Sequence, residues 1–181
     1  EVKFYILSTN QDHDGTILNV VPDQWTNYGG SSKVLYLSPE NRGYSSINSI
    51  ISELAPNVIY LNGMYSFPFV VYPLWITRKS NSICTVIAPR GMLQTEALAI
   101  KPWKKKMYLS VLKYLFLSKK NNWHVTTEQE KRDLIRFAQS DASIELLGNI
   151  PSFDSKHIEL KNSGNKRNVF GTVALISPMK N

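Results

Sequence analysis

The sequence predicts an α/β fold with a Rossmann-like, mostly parallel sheet that carries helices on both faces. Short apolar runs typical of buried strands, such as residues 58–61 and 83–88, alternate with segments of helical spacing. The first of these runs stops at the turn-forming pair Asn62-Gly63. Because continuously apolar strands are typical of parallel sheets that helices cover, the alternation indicates this layered architecture.

The elements follow one another without an internal repeat or a low-complexity segment. Strands are predicted at residues 2–7, 16–21, 33–37, 58–61, 83–88, 123–125 and 144–147. Helices are predicted at residues 45–54, 67–78, 102–118 and 128–139. In the first of these helices, apolar side chains recur at positions 47, 50, 51 and 54, which is helical spacing, and Pro56 ends the helix.

Polar residues that follow the predicted strands are candidates for a binding site. In parallel sheets ligands bind outside the carboxyl ends of the strands. Four segments are therefore expected on one edge of the sheet: Asn62-Gly63, Arg90-Gly91, Thr126-Thr127 and Gly148-Asn149. The planar guanidinium of Arg90 suits phosphate or carboxylate, and Gly91 permits a positive φ. An ordinary strand-to-helix turn with a solvated arginine is the alternative interpretation.

Composition favours a globular protein with anionic partners. Of the 181 residues 43% are apolar and 19% are charged, and the net charge is +7. The longest apolar run, residues 67–76, is shorter than the roughly 18 residues of a membrane-spanning helix. The single cysteine, Cys84, excludes a disulfide framework and a cysteine metal site, and its apolar surroundings predict a buried thiol.

Four lysines crowd the start of the helix predicted at residues 102–118: Lys101, Lys104, Lys105 and Lys106. Cations there oppose the helix dipole, so the cluster predicts contact with a polyanion such as lipid phosphate or a membrane surface. A solubilising surface cluster is the alternative. Apolar residues cover most of the circumference of this helix, which predicts that its body is buried. Its aromatic side chains could then not stack bases, so no nucleic-acid partner is expected.

Three polar patterns have structural interpretations. Thr127 and Glu130 form a capping box at the start of the last helix, with Glu130 reaching back to the cap. His124, inside a strand, is more typical of a satisfied core residue than of a ligand. Asp12 and Asp14 could hold a metal ion, but Gly15 and the neighbouring residues favour a turn, and no metal site is expected.

Several familiar catalytic signatures are absent from the sequence. It contains no Gly-x-Gly-x-x-Gly after a strand, no phosphate-binding P-loop, no His-Glu-x-x-His and no Gly-x-Ser-x-Gly. These absences disfavour a nicotinamide dehydrogenase, a nucleotide triphosphatase, a zinc protease and an α/β-hydrolase.

A collinear series of motifs instead resembles the N-terminal domain of family-4 GT-B glycosyltransferases over nearly the whole chain. The motifs are PNVIYLNG at 56–63, VIAPRGML at 86–93, AL at 97–98, K-x-WKK at 101–105, HVTTE-x-E at 124–130, GNIP at 148–151 and ISP-x-KN at 176–181. Each motif is loose, and it is their order and spacing that give the resemblance its specificity.

The resemblance implies a retaining glycosyltransferase that uses a nucleotide-sugar donor and a glycan or lipid-linked acceptor, with no metal or other cofactor. Such enzymes commonly assemble polysaccharides or glycolipids at the cytoplasmic face of the membrane. Residues 1–160 would be the acceptor-binding domain without its first strand, and residues 161–181 the linker and first strand of a donor domain. The chain alone is then expected to be inactive.

The resemblance also assigns positions around the cleft. Arg90 and Gly91 match the loop that faces the donor phosphates and the acceptor. Asn62 and Gly63 match a turn that lines the cleft. Thr127 and Glu128 match a helix start that faces it, and the catalytic residues themselves remain unassigned.

The sequence departs from the family in three ways. The family's first strand and its donor domain are expected to lie outside residues 1–181, and Leu175 stands where an arginine usually grips the donor diphosphate. Without the first strand, exposed sheet edges could pair two copies into a homodimer. The protein is expected to be cytoplasmic and peripheral to the inner face of the cell membrane. The alternative function is a non-catalytic α/β module that binds anionic lipid or phosphate ligands.

Overall fold

Two β-sheets organise the part of the chain that the computed structural model describes. The described residues are 3–12, 14–78, 80, 82–99, 102–116, 121–138 and 143–149. The predicted linker and donor-domain strand at 161–181, with Leu175, lie outside them, as does Lys101. None of the helices in these ranges is long and apolar enough to cross a membrane.

The smaller sheet has three strands. β1 (Phe4–Thr9) pairs in parallel with β3 (Ser32–Leu37), and β2 (Trp25–Asn27) pairs antiparallel with the other edge of β3. The strand predicted at 16–21 is wrong, since that segment forms only a loop with an isolated bridge from Gln11 to Ile17. Ile17 is 70% exposed, so no core covers its side chain, and apolar content alone was insufficient to make a strand.

Helix α1 (Tyr44–Leu54) covers the smaller sheet. Its Ile47 and Ile51 join Leu35 and Leu37 of β3 in one buried cluster. The helix ends at Ala55, which is left-handed with φ 42° and donates its N–H to the carbonyl oxygen of Ile51 at 3.0 Å. The following proline cannot continue a helix, so the predicted end is confirmed.

The larger sheet has four parallel strands in sequence order: β4 (Val58–Asn62), β5 (Cys84–Ala88), β6 (Asn122–Val125) and β7 (Ser143–Leu146). Helical segments connect them, as parallel strands require. The predicted fold class, α/β with a Rossmann-like parallel sheet flanked by helices, is confirmed. In the described part of the chain, however, helices pack against one face of this sheet, and side chains of the other face are exposed.

The connecting helices are close to their predicted positions. A π-helical turn, Phe67–Val71, leads into α2 (Tyr72–Thr77); α3 (Thr95–Ala99) and α4 (Pro102–Phe116) precede β6; α5 (Glu128–Ala138) precedes β7. Ser66 caps the π-helical turn, because its hydroxyl accepts the N–H of Phe69 at 3.2 Å. The short helix α3 was not predicted.

Side chains of the larger sheet alternate between a covered and an open face. On the covered face, Leu61, Ile87 and Trp123 are buried in a cluster with residues of α2, α4 and α5. On the opposite face of the described strands, Tyr60 is 46% exposed and Cys84 is also exposed. The predicted buried thiol is therefore wrong. Cys84 is the first residue of β5 and points to the open face, where the amide of Asn122 donates to its sulfur at 3.2 Å.

The prediction that the body of α4 is buried is also wrong. Leu109 and Leu112 are buried against the sheet, but Trp103, Met107 and Tyr114 are 64, 61 and 88% exposed. A helix that lies on one face of a sheet buries only the side turned towards it. The sequence shows that both sides of α4 are apolar, and the structure covers one of them.

Candidate functional site

The residues predicted to form a binding site lie at the edge formed by the carboxyl ends of the four parallel strands. This edge, with the turns that follow β4, β5, β6 and β7, is called the rim. Asn62 ends β4, Arg90 follows β5 in the turn after Pro89, and Asn149 follows β7. The side chain of Arg90 spans this edge and contacts both asparagines. The rule that polar residues after parallel strands share one edge therefore holds for this chain.

Arg90 is held by three neutral oxygen atoms. Its Nε donates to Oδ1 of Asn62 at 2.8 Å, its Nη1 to Oδ1 of Asn149 at 2.9 Å, and its Nη2 to the hydroxyl of Tyr60 at 3.1 Å. None of these acceptors cancels the positive charge. A guanidinium has five N–H donors, so two are left after these bonds within the described chain. Arg90 is exposed, and the arrangement presents a fixed cation to a ligand at the rim.

Tyr60 and His124 continue this network on the open face of the sheet. Nε2 of His124 lies 2.9 Å from the carbonyl oxygen of Leu147, which can only accept, so Nε2 carries the proton. Nδ1 then accepts from the hydroxyl of Tyr60, whose oxygen accepts from Arg90. In this arrangement both ring nitrogens of His124 and the hydroxyl of Tyr60 have partners. The pKa of Tyr60 is raised above its ordinary value, mainly by burial; Arg90 lowers it in part and Glu130 adds to the rise. The phenol therefore keeps the proton that it donates.

Glu130 ties two turns of the rim together. It is 2% exposed, and its carboxylate accepts the N–H of Gly91 at 2.7 Å, the N–H of Thr126 at 2.7 Å and the hydroxyl of Thr126 at 3.0 Å. Half of the predicted capping box is confirmed, because the hydroxyl of Thr127 accepts the N–H of Glu130 at 3.1 Å. The other half is wrong, since Glu130 reaches Thr126 and Gly91 and not the cap residue. Its carboxylate thus links the turn after β5 to the turn after β6.

The turn after β5 has the backbone that its glycine predicts. Gly91 has φ 75° and Arg90 has φ 54°, and the N–H of Met92 bonds the carbonyl oxygen of Pro89 at 3.1 Å. Positive φ at both central residues resembles a type I′ turn. For arginine this conformation costs roughly 1–2 kcal/mol. The hydrogen bonds of the guanidinium and of the Gly91 N–H stabilise it.

Gly63 makes a close approach at the same edge. Its φ is 97°, and a Cβ atom there would lie 3.1 Å from the terminal carbon of Met92. Its N–H bonds the carbonyl oxygen of Ala88 at 2.8 Å, which extends the β4–β5 ladder by one residue. Gly63 therefore shapes the rim by its lack of a side chain.

The remaining predicted cleft residues lie at the start of α5. Thr127 uses its hydroxyl for the helix cap, and Glu128, the first helical residue, is exposed. The sequence did not predict Tyr60 as a site residue, and it favoured a structural role in the core for His124. The partners of these side chains lie 30 and 64 positions apart in sequence, so no local pattern could have linked them. Their positions near the carboxyl ends of β4 and β6 were the only available signal.

The lysine cluster divides into two kinds of residue. Lys104 and Lys106 are exposed. Lys105 is half-buried, its ammonium donates to the carbonyl oxygen of Ala97, and it lies 5.4 Å from the ring centroid of Tyr65. One N–H of the Lys105 ammonium is therefore used within the domain, and contact of the cluster with an external anion or membrane stays a prediction.

Asp12, Asp14 and Gly15 make the contacts of a turn, which is the interpretation that the sequence favoured. Oδ1 of Asp14 accepts the N–H of Thr16 at 2.8 Å, and this hydrogen bond holds the pKa of the carboxyl below its ordinary value. Gly15 has φ 87° and donates its N–H to the carbonyl oxygen of Asp12 at 3.1 Å. Among the described residues, no group of three or more His, Cys, Asp or Glu side chains could hold a metal ion.

The rim can bind and orient an anion through Arg90, whose position neutral partners fix. The buried carboxylate of Glu130 accepts three hydrogen bonds from the chain itself, so it serves to hold the two turns. Comparison of the chain with known protein families, with curated proteins and with solved structures finds no match.

Proposed function

We propose that this chain is the acceptor-side domain of a retaining glycosyltransferase of the two-domain GT-B type, with Arg90 facing the phosphates of a nucleotide-sugar donor. One observation carries the proposal: an arginine held by neutral oxygens, with its charge uncancelled by them, at the carboxyl edge of a parallel sheet. The resemblance of the motif series at residues 56–63, 86–93 and 124–130 supports the same assignment.

The rim has the chemistry that a diphosphate requires. Two N–H donors of Arg90 remain for phosphate oxygens, and planar guanidinium groups bind such oxygens in pairs. Gly91 and Gly63 add no side chains of their own to two turns of this edge. The acceptor, a glycan or lipid-linked sugar, would lie on the same edge, and no metal or other cofactor takes part in the proposal.

The first experiment measures ligand binding by the chain itself. Pyrophosphate, UDP and UDP-glucose are titrated into the isotopically labelled protein, and amide shifts of Gly91 and Gly63 are followed by NMR. Weak binding is expected, and Arg90→Gln should weaken it by about 10- to 100-fold, the usual loss for a charge-assisted pair. Arg132→Gln on α5 is the matched control, because it removes the same charge from an exposed helix position.

Two results would count against the proposal. Equal loss in Arg90→Gln and Arg132→Gln would mean that the protein responds only to net charge. Transfer of sugar by this chain alone would mean that its division into acceptor and donor domains is wrong, since the donor-binding residues of the family lie in the second domain.

A further inference from the structure

The side of α4 that points away from the sheet is an exposed apolar surface. Four side chains form it, and together they are called the α4 stripe: Trp103, Met107, Val111 and Tyr114. They are 64, 61, 49 and 88% exposed, respectively. At 100° per residue they lie within about 80° of one another, opposite the buried Leu109 and Leu112. Contiguous apolar surface of this kind on one side of a helix indicates an interaction site.

Cations line both edges of the α4 stripe. Lys104 lies along one edge and Lys106 along the other, and both are exposed. The ammonium of Lys104 is 5.4 Å from the ring centroid of Trp103, so charge and aromatic surface are adjacent. The sequence of α4, residues 102–116, contains no aspartate or glutamate. The surface therefore has an apolar centre and edges of a single, positive sign.

A second element extends this surface beyond α4. Phe67, at the start of the π-helical turn, is 57% exposed and packs edge-on against Tyr108 with ring centroids 5.9 Å apart. Phe67 also lines an open apolar groove with Val71 and Trp75. Aromatic side chains thus continue from the Lys104 edge of the helix onto the neighbouring turn.

We propose that the α4 stripe, with Lys104 and Lys106, docks this domain on the surface of an anionic lipid bilayer. Trp103 and Tyr114 would enter the headgroup region, where amphipathic rings are favoured, and the two lysines would contact lipid phosphates. Charge complementarity decides for lipid over a protein partner. Lysine is depleted at protein–protein interfaces, whereas a helix with lysines beside tryptophan and other apolar residues is typical of binding to anionic membranes.

The topology relates this surface to the rim. Because α4 connects two parallel strands, it runs opposite to them, and its Trp103 end lies towards the edge that carries Arg90. Docking would therefore place the rim near the headgroups, where a lipid-linked acceptor is presented. This last step rests on the proposed function, whereas docking itself does not.

The experiment measures partitioning onto vesicles by flotation. The protein should bind vesicles of phosphatidylcholine with phosphatidylglycerol and not vesicles of phosphatidylcholine alone. Lys104→Ser with Lys106→Ser should reduce binding about 25-fold, since each lysine near an anionic surface contributes about fivefold. Lys3→Ser with Lys33→Ser is the matched control, because both of these lysines are exposed on the smaller sheet.

Trp103 provides a direct readout of insertion. Its fluorescence should shift to the blue on anionic vesicles, and Trp103→Phe should remove the shift while binding persists. Trp103→Ser with Tyr114→Ser should reduce binding at least about tenfold through lost apolar contact. Ile17→Ser, which changes an exposed apolar side chain elsewhere, should leave binding unchanged.

Three outcomes would overturn the inference. One is failure to bind the anionic vesicles, or equal binding to both kinds of vesicle. Another is equal loss in the lysine variant and its control. The third is a dimer in sedimentation without lipid that the Trp103 and Tyr114 changes convert to monomer, which would assign the stripe to a second copy of the chain. None of these outcomes concerns phosphate binding at Arg90, so the two proposals fail separately.

Discussion

Glu130 is the residue at which the stability of the rim can be tested most sharply, by the change Glu130→Gln. The two side chains have nearly the same shape, so packing is preserved. The carboxylate accepts the N–H of Gly91 on Oε1 and the N–H of Thr126 on Oε2. An amide has only one oxygen atom, so one of these two backbone donors must face an NH₂ group.

The hydrogen bonds also predict which orientation the glutamine takes. Its NH₂ group can donate to the hydroxyl of Thr126, which now donates to Oε2 at 3.0 Å and can also accept. The carbonyl oxygen therefore faces Gly91, and the N–H of Thr126 loses its partner. A lost bond to a charged group costs about 1.5–3 kcal/mol, and the lower cost of burying a neutral amide offsets part of it. A net destabilisation of about 1–2 kcal/mol is expected.

Urea unfolding followed by tryptophan fluorescence measures this loss as a shift in the midpoint at unchanged slope. Glu128→Gln is the matched control, since it removes the same charge from an exposed position in the same helical turn and should change stability by less than about 0.5 kcal/mol. If the two variants unfold at the same urea concentration, Glu130 does not hold the rim together and the reasoning from its contacts is refuted.

Two further predictions concern the same half of the molecule. Burial raises the pKa of Tyr108 to about 12, so the folded state keeps a proton that the unfolded state releases near pH 10. The stabilisation that this pKa difference provides is complete below pH 10 and should be lost as pH rises towards 12. The thermal unfolding temperature of Tyr108→Phe should therefore fall less steeply with pH over that interval than that of the unchanged protein. Parallel curves for the two proteins would contradict the prediction. Gly63→Ala should destabilise by about 1–3 kcal/mol, because its Cβ would meet Met92 at 3.1 Å in a backbone with φ 97°. Gly91→Ala, whose Cβ meets only the flexible end of Gln94 at 3.5 Å, should cost less in the same urea assay, and the reverse order would refute the packing argument.

Local sequence pattern predicted the larger sheet well for a physical reason. The side chains that face the helices, such as Leu61, Ile87 and Trp123, are apolar, and the strands end at residues that turn the chain, such as Asn62 and Arg90. Parallel topology then places those ends on one edge without further information. The location of the candidate site was therefore predictable from the sequence.

The predictions that were wrong or incomplete share one cause: each concerned a property that depends on residues far away in the sequence. Whether Cys84 is buried depends on what covers the second face of the sheet, and nothing in its own apolar run carries that information. The partner of His124 is Tyr60, 64 positions away. The apolar circumference of α4 was read correctly, but periodicity does not state how many sides of a helix the fold will cover. The short strand β2 has a single large apolar residue, Trp25, and forms because β3 offers it a free edge.

The division into two sheets also has a consequence for how the molecule opens. Among the described residues, twelve buried apolar side chains form the core of the larger sheet, whereas four form the core of the smaller one. Backbone amides of β3 should then exchange their hydrogens with solvent through partial openings that leave β5 and β6 protected. Since Arg90 and its partners belong to the larger sheet, the rim would keep its geometry during such openings. We therefore expect the smaller sheet to open before the binding edge does.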